Sequence, residues 1–361
     1  MANNNPLLSV ILLAYRQEAF VQEAVKGLFA QTYSPLEIIL SDDSSPDGTF
    51  AIMAKLAEAY KGPHRVRLNQ TRSNVGLCAH VNEASSLAQG ALILTAAGDD
   101  ISTPERVQKT FEAWEASNRT ATSIWGEIIE IDEEGTILGG PARSEKAPFT
   151  HFPANPLEFV NRRNPKVFGA SHAFSPRLMK EFGPLAPTAV MEDFTLGFRS
   201  SLIGALVRIN EPIVKYRRHQ NNLSGGTLSG CAVDNASFEA VTRLQRKECN
   251  QFRGLFSALL LDVQTAAERR LVSASAAQEL RVALSRQLEY VETKERCLDA
   301  SGFAALKLAY RIFRLGAGWK AAFVPNVPRL LPPAIHKRSV IFANKLRRLY
   351  EPASPSFKAG A

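Results

Sequence analysis

Two carboxylates stand side by side at Asp99 and Asp100, just after an apolar run, Ala91-Leu-Ile-Leu-Thr95, that stops at Gly98. Pro104 follows, where its fixed φ suits the first turn of a helix. The pattern is a buried strand that delivers two acids to the C-terminal edge of a sheet, where open α/β folds bind ligands. Neighbouring side chains on a strand point opposite ways, so one acid can turn to a ligand while the other braces the loop or a second ligand. Hard cations such as Mg²⁺ take oxygen ligands and keep substrate phosphates in their shell. A divalent metal with a diphosphate is therefore the chemistry that fits this pair. Taken alone, the same Gly-Asp-Asp is equally a turn that caps the next helix.

The elements that would position these acids can be read in order. Leu7–Ala14 is an almost unbroken apolar run of strand length, as for a strand covered on both faces. Over 17–31, Phe20, Val21, Ala24, Val25, Leu28 and Phe29 recur at helical spacing. Leu36–Leu40 is a second strand ending in Ser41-Asp-Asp-Ser-Ser-Pro-Asp-Gly-Thr49, followed by a helix over 48–60 and a third strand at Arg65–Leu68. The loop 69–76 leads into a helix through Ala88, and a fourth strand reaches Asp99. Such alternation implies right-handed βαβ crossovers and a parallel sheet. Its polar loops at 41–49, 69–76 and 98–104 should then share one edge and form a single cleft.

After a helix at 104–118 the pattern changes. Residues 123–131 alternate, and Asp132-Glu-Glu-Gly135 turns them back through Thr136–Leu138 as a hairpin. Residues 139–156, rich in Pro, Gly and Ala, read as a long loop over the cleft. A helix at Met191–Leu202 and strands at Ala205–Ile209 and Ile213–Tyr216 follow, with a boundary at Ser224-Gly-Gly226. Residues 232–300 are helix-rich, and 302–350 alternate apolar and basic residues.

Composition is that of a globular protein, 45% hydrophobic and 22% charged. The start has no basic segment ahead of an apolar one, and no run approaches the ~20 apolar residues that span a bilayer. Cys78, Cys231, Cys249 and Cys297 have neither metal spacing nor a dense framework, so the expectation is reduced thiols in a cytoplasmic protein. The net charge of +8 is uneven: residues 301–361 hold eleven Lys and Arg against the single acid Glu351. The body is therefore close to neutral, which argues against a nucleic-acid partner. In the tail, Phe303, Leu306, Tyr310 and Phe313 interleave with Lys307, Arg311 and Arg314. Val340, Ile341, Phe342, Leu346 and Leu349 do so with Lys337, Arg338, Lys345, Arg347 and Arg348. Basic amphipathic helices lie on anionic membrane surfaces, pack on their own domain, or join oligomers.

Seven motifs occur in a telling order: Ser9-Val-Ile-Leu-Leu-Ala-Tyr15, Gln31-Thr-Tyr-Ser-Pro-Leu-Glu37, the 41–49 loop, Asn74-Val-Gly76, Gly98-Asp-Asp100, Met191-Glu-Asp-Phe194 and Tyr216-Arg-Arg-His219. Together, over residues 7–225, they resemble a family 2 inverting glycosyltransferase. The resemblance implies a GT-A fold, a Rossmann-like, mostly parallel sheet flanked by helices. Residues 1–225 would form the catalytic domain, with a nucleotide-sugar half at 1–118 and an acceptor half at 119–225. Residues 226–361 would be a helical extension with a basic tail. The partners implied are a nucleotide-sugar donor, a UDP-sugar by preference, and a glycan or lipid-linked acceptor, with peripheral contact to anionic membrane.

The same resemblance assigns roles. Ala14, Tyr15, Asp42, Asp43, Arg72, Asn74, Gly76 and Gly98 would contact the nucleotide, Asp43 foremost at the base. Asp99 would carry Mn²⁺ or Mg²⁺, with Asp100 and His219 as further candidates. Asp193 would be the general base, with Glu192 as the fallback. One departure stands out: Ala97 occupies the first position of the family's Asp-x-Asp. That leaves open a catalytically degenerate, nucleotide-sugar-binding scaffold. Residues 12–18 contain no glycine, which excludes the Gly-rich turn of a dinucleotide-binding dehydrogenase.

Overall fold

The computed structural model describes residues 5–140, 147–162, 167–220, 222 and 238–315. The chain forms two compact units, Met1–His219 with Leu261–Leu280, and Gln220–Leu260 with Arg281–Ala361. The return of Leu261–Leu280 to the first unit departs from a simple break near residue 225.

In the first unit, β1 (Leu8–Ala14), α1 (Val21–Phe29), β2 (Leu36–Asp42), α2 (Thr49–Ala59), β3 (Arg65–Gln70), α3 (Leu77–Ser86) and β4 (Ile93–Ala97) alternate as expected. The four strands run parallel in the order β3-β2-β1-β4. β1 and β2 are covered on both faces, which is why β1 is almost wholly apolar and the polar Glu37, Ser41 and Asp42 of β2 are all buried with hydrogen-bond partners. β3 lies at the sheet edge, mostly exposed, and carries Arg65 and Arg67, charges that discourage pairing with a foreign strand.

Beyond β4 come β5 (Ile101–Ser102), α4 (Arg106–Ala116), β6 (Ala121–Ile131), β7 (Ile137–Gly139), β8 (Phe149–Phe152), α5 (Pro156–Arg162), β9 (Ala173–Phe174), α6 (Arg177–Phe182), α7 (Glu192–Ile203) and β10 (Ala205–Arg217). The short β9 joins β4 to β6 by antiparallel pairing on both sides, and β10 lies parallel to β6. The hairpin over 123–138 forms as β6 and β7.

Two readings change. Residues 149–152 form a strand on β10 because Phe152 stacks on Trp125 of β6, with ring centroids 5.5 Å apart; residues 141–146 of the expected loop lie outside the described residues. The two strands expected over 205–216 are one, β10, with register shifts around Pro212, which has no N–H to give to the ladder.

The second unit contains α8 (Phe238–Glu268) as far as Leu260, most of α9 (Ala274–Asp299) and α10 (Gly302–Arg314). Lys294 pairs with Glu248 at 3.2 Å and Arg311 with Glu289 at 2.6 Å, and Ala305, Ala309 and Ile312 of α10 are buried. The Ser224-Gly-Gly226 boundary, Cys231 and the tail from residue 316 lie outside the described residues.

Gln31 ties the acid-bearing loop to α1. Its Nε2 donates to Gly27 O at 2.9 Å and Thr103 O at 2.8 Å, and its Oε1 accepts the Val107 N–H at 3.0 Å. Gln31→Leu keeps the volume and strands three polar groups, so chemical denaturation should show a loss of about 2–4 kcal/mol.

Candidate active site

Three loops meet at the C-terminal ends of the parallel strands. The Asp43 N–H donates to Ala14 O at 2.9 Å, Thr71 N–H to Asp42 O at 3.0 Å, and Gly98 N–H to Leu13 O at 3.1 Å. A Cβ at Gly98 would lie 2.4 Å from Gln17 Oε1 and 3.0 Å from the Ala14 Cβ, so a larger residue would have to push the Gln17 side chain aside and crowd the end of β1.

The two acids of the second loop are committed to holding it. Asp42 accepts the Ser45 N–H at 2.8 Å and Gln70 Nε2 at 3.0 Å. Asp43 Oδ1 accepts the Thr71 hydroxyl and Val75 N–H, each at 2.9 Å, while Oδ2 accepts the Gly76 N–H at 2.9 Å. Asp43 thereby anchors the turn into α3, where Gly76 takes φ 81°, a conformation that favours glycine. Asn74 Nδ2 lies 3.5 Å from Asp43 O, and Tyr15 and Arg72 are exposed around this edge. The nucleotide-binding candidates thus share one sheet edge.

In the turn after β4, which ends at Ala97 and not at Asp99, the neighbouring acids part company. Asp99 Oδ2 lies 3.0 Å from His219 Nε2, bringing a carboxylate and an imidazole together across 120 positions of sequence. Asp100 turns inward: its Oδ1 accepts the Arg217 N–H at 2.8 Å, and its buried Oδ2 has no hydrogen-bond partner among the described residues. Burial, with Asp99 beside it, pushes the Asp100 carboxyl up to about 8. Asp99 and His219 therefore converge, whereas Asp100 braces the loop. Among the described residues no cluster of three or more His, Cys, Asp or Glu forms a complete protein cage for a metal. The Asp99 carboxylate suits Mg²⁺ or Mn²⁺, which leave much of their shell to water and phosphate oxygens, whereas the imidazole beside it is a ligand for the softer Mn²⁺ rather than for Mg²⁺.

Arg217 fixes this arrangement. Fully buried, it donates from Nε to Asp99 O at 3.0 Å and from Nη1 to Asp132 O at 3.2 Å, pairs with Glu23, and stacks over Phe20 at 4.9 Å. Arg218 instead lies outside, paired with Glu130.

The second acidic pair opens α7. Asp193 accepts the Gly169 N–H at 3.1 Å and the Phe194 N–H at 2.7 Å. Burial and the neighbouring Asp193 push Glu192 up to about 8, and burial likewise raises Asp193. Adjacent acids that share so little water do not both ionise readily. The buried Cys78 thiol, with these carboxylates nearby, is pushed to about 12 and is no nucleophile. His64, His80 and His172 bond inward to Gln31 O, Ser41 and Ser123. The residues missed from sequence are Thr95, Gly169 and the bracing role of Arg217, because only their partners mark them.

The candidate site is thus three polar loops at the C-terminal edge of a mostly parallel sheet, with separate acidic pairs after β4 and at the start of α7. The sequence profile described as glycosyl transferase family 2 matches residues 9–175. The putative glycosyltransferase EpsE of Bacillus subtilis is 37% identical over 253 residues, 67% of this chain and 84% of that protein. An uncharacterized glycosyltransferase of Haemophilus influenzae is 29% identical over 228 residues, 61% of this chain and 68% of that protein. In fold, the chain is similar to S. aureus TarS 1-349, crystallised with UDP-GlcNAc. The TM-score is 0.52 at 14% identity, covering 95% of this chain and 91% of that one. The chain belongs to glycosyl transferase family 2 and is a glycosyltransferase of GT-A fold.

Glu192 carries a stability consequence. Its folded pKa, about 8, lies above the ordinary 4.5, so the unfolded chain loses this proton first as pH rises. The stability that the protonated group contributes is complete below about 4.5 and gone above about 8. Glu192→Gln should therefore flatten the fall in melting temperature across that window, as measured by calorimetry at a series of pH values.

Proposed function

We propose that the enzyme is metal-dependent and inverting, and moves a sugar from a nucleoside-diphosphate donor, a UDP-sugar by preference, to a glycan or lipid-linked acceptor in surface polysaccharide synthesis. The observation that carries this reading is the pairing of Asp99 with His219 at 3.0 Å, on the same sheet edge as the Asp43-anchored loop. The crystallised complex of TarS with UDP-GlcNAc supports a nucleotide-sugar donor.

In this reading Ala14, Tyr15, Asp43, Arg72, Asn74, Gly76 and Gly98 frame the nucleoside, with Asp42 holding the loop beneath. Asp99 and His219 would hold Mn²⁺ or Mg²⁺, which, when bound, neutralises charge on the departing diphosphate. Asp193 takes the proton of the acceptor hydroxyl as that oxygen attacks the anomeric carbon. The bond from that carbon to the diphosphate oxygen breaks, and its electrons leave with the nucleoside diphosphate. Attack from the face opposite the leaving group inverts the centre and needs one base, not the two carboxylates of a retaining glycosidase. Glu192, pushed up to about 8, holds a proton near neutral pH and so keeps a second charge away from that base. Residues 1–225 would supply this machinery, and 226–361 a separate helical region.

Calorimetric titration of UDP, GDP and dTDP, each with and without Mn²⁺, tests the donor side. One nucleotide should bind in a metal-dependent way, and Asp99→Ala should abolish that dependence. Asp193→Asn should keep the binding but lower kcat about 10²–10⁴-fold. No binding of any nucleotide would overturn the reading and favour a degenerate scaffold, the alternative that Ala97 raises.

The acceptor side draws support from α10. Phe303 is 81% and Tyr310 54% exposed, with Lys307 and Arg314 on the same side of the helix. An apolar strip beside basic residues suits the headgroup region of an anionic bilayer. Among the described residues no helix is long and apolar enough to cross a membrane, so the contact would be peripheral, on the cytoplasmic face. The full chain should float with phosphatidylglycerol vesicles and not with phosphatidylcholine vesicles. Phe303→Glu and high salt should each weaken the association.

A further inference from the structure

Gly169 lies between the metal-side strand and the proposed base. On one side, the Thr95 hydroxyl of β4 donates to Gly169 O at 2.7 Å and lies 3.1 Å from His172 O. The Thr95 N–H also donates to His172 O at 2.9 Å, so strand and loop are fastened twice. On the other side, the Gly169 N–H donates to Asp193 Oδ2 at 3.1 Å. Asp99 follows Thr95 by four residues on the same strand end.

The contact leaves no slack. A Cβ at residue 169 would lie 2.6 Å from Glu192 Oε1 and 3.3 Å from Asp193 Oδ2, so any larger residue must displace one of the carboxylates. Thr95 is itself buried, and its carbonyl accepts the guanidinium of the fully buried Arg106. The hydroxyl thus has a fixed origin and a fixed target.

We propose that Thr95 and Gly169 are positioning residues, which set Asp193 relative to the strand that carries Asp99 and so hold base and leaving-group site in register. This rests on the reading of Asp193 as the base. The two Gly169 bonds involve different peptide units, its own carbonyl and its own N–H. Thr95 therefore acts by fixing where Gly169 sits, not by polarising the N–H. Asp193 has Glu192 beside it on α7 and Cys78 of α3 nearby, and the Thr95 hydroxyl bonds to neither.

Thr95→Val removes the hydroxyl at nearly constant volume, Thr95→Ser retains it, and Gly169→Ala intrudes from the other side. A ¹³C-carboxyl NMR titration of labelled aspartate, with Asp193→Asn to assign the signal, reads the contact without any substrate. The Gly169 N–H favours the ionised carboxylate, so Thr95→Val and Gly169→Ala should move the Asp193 midpoint to higher pH. Thr95→Ser should leave it in place. The same shift should appear in the acid limb of kcat for nucleotide release from a turned-over sugar nucleotide with Mn²⁺. The two disruptive variants should lose about tenfold in kcat with KM for donor unchanged, as small misplacements of reacting groups do. A midpoint in folded Thr95→Val equal to wild type, or in Gly169→Ala should Thr95→Val not fold, would overturn the proposal whatever the melting temperature did. Full turnover by Asp193→Asn would instead sink the base assignment, while the NMR midpoints still judged the contact.

Discussion

The site depends on one buried cation. Two acids in succession at the end of a covered strand are costly, because a carboxylate out of water needs partners. Arg217 meets that need from the far end of β10: its backbone N–H goes to Asp100, its guanidinium to the Asp99 carbonyl, and its remaining donors to the turn after β6 and to Glu23. Tertiary bonding of this kind lets Asp100 sink inward while Asp99 stays at the edge. His219 is delivered beside Asp99 by the same strand, two residues on.

The same logic organises the other loops. Asp42 and Asp43 look like ligands by composition, yet each has its oxygens filled by local backbone and side-chain donors. Their effect is to hold the loops at this sheet edge in place before anything binds, and a preorganised edge avoids an ordering cost at each encounter. Rigidity also passes downward: Gln31 holds the loop after Asp100 to α1, and Glu37 accepts the Ser9 hydroxyl at the opposite end of β2.

Glu192 and Asp193 pose the reverse problem. They open a helix, where the dipole favours negative charge, but they are hemmed in enough that burial raises both. A carboxylate held this way is a better proton acceptor than one in free solution. The Gly169 N–H then fixes the position of the Asp193 carboxylate. Family membership and fold follow from the whole chain, whereas the chemistry depends on a few such contacts.

The sequence by itself determined the alternating strands and helices of residues 7–118, the three polar strand ends and the family, because these are written in local periodicity and short motifs. The covered strands are near-continuous apolar runs, and the loops announce themselves with Asp, Ser, Gly and Pro. What only the tertiary structure decided is which acid faces which way. Asp99 and Asp100 are neighbours with nearly identical local surroundings, and what separates them is Arg217, 117 positions later. β8 and the undivided β10 were hidden for the same reason: a bulge at Pro212 and a ring stacked on Trp125 are contacts between distant segments. Thr95 and Gly169 looked like ordinary strand and loop residues until the fold put Gly169 one hydrogen bond from Asp193 and Thr95 one from Gly169.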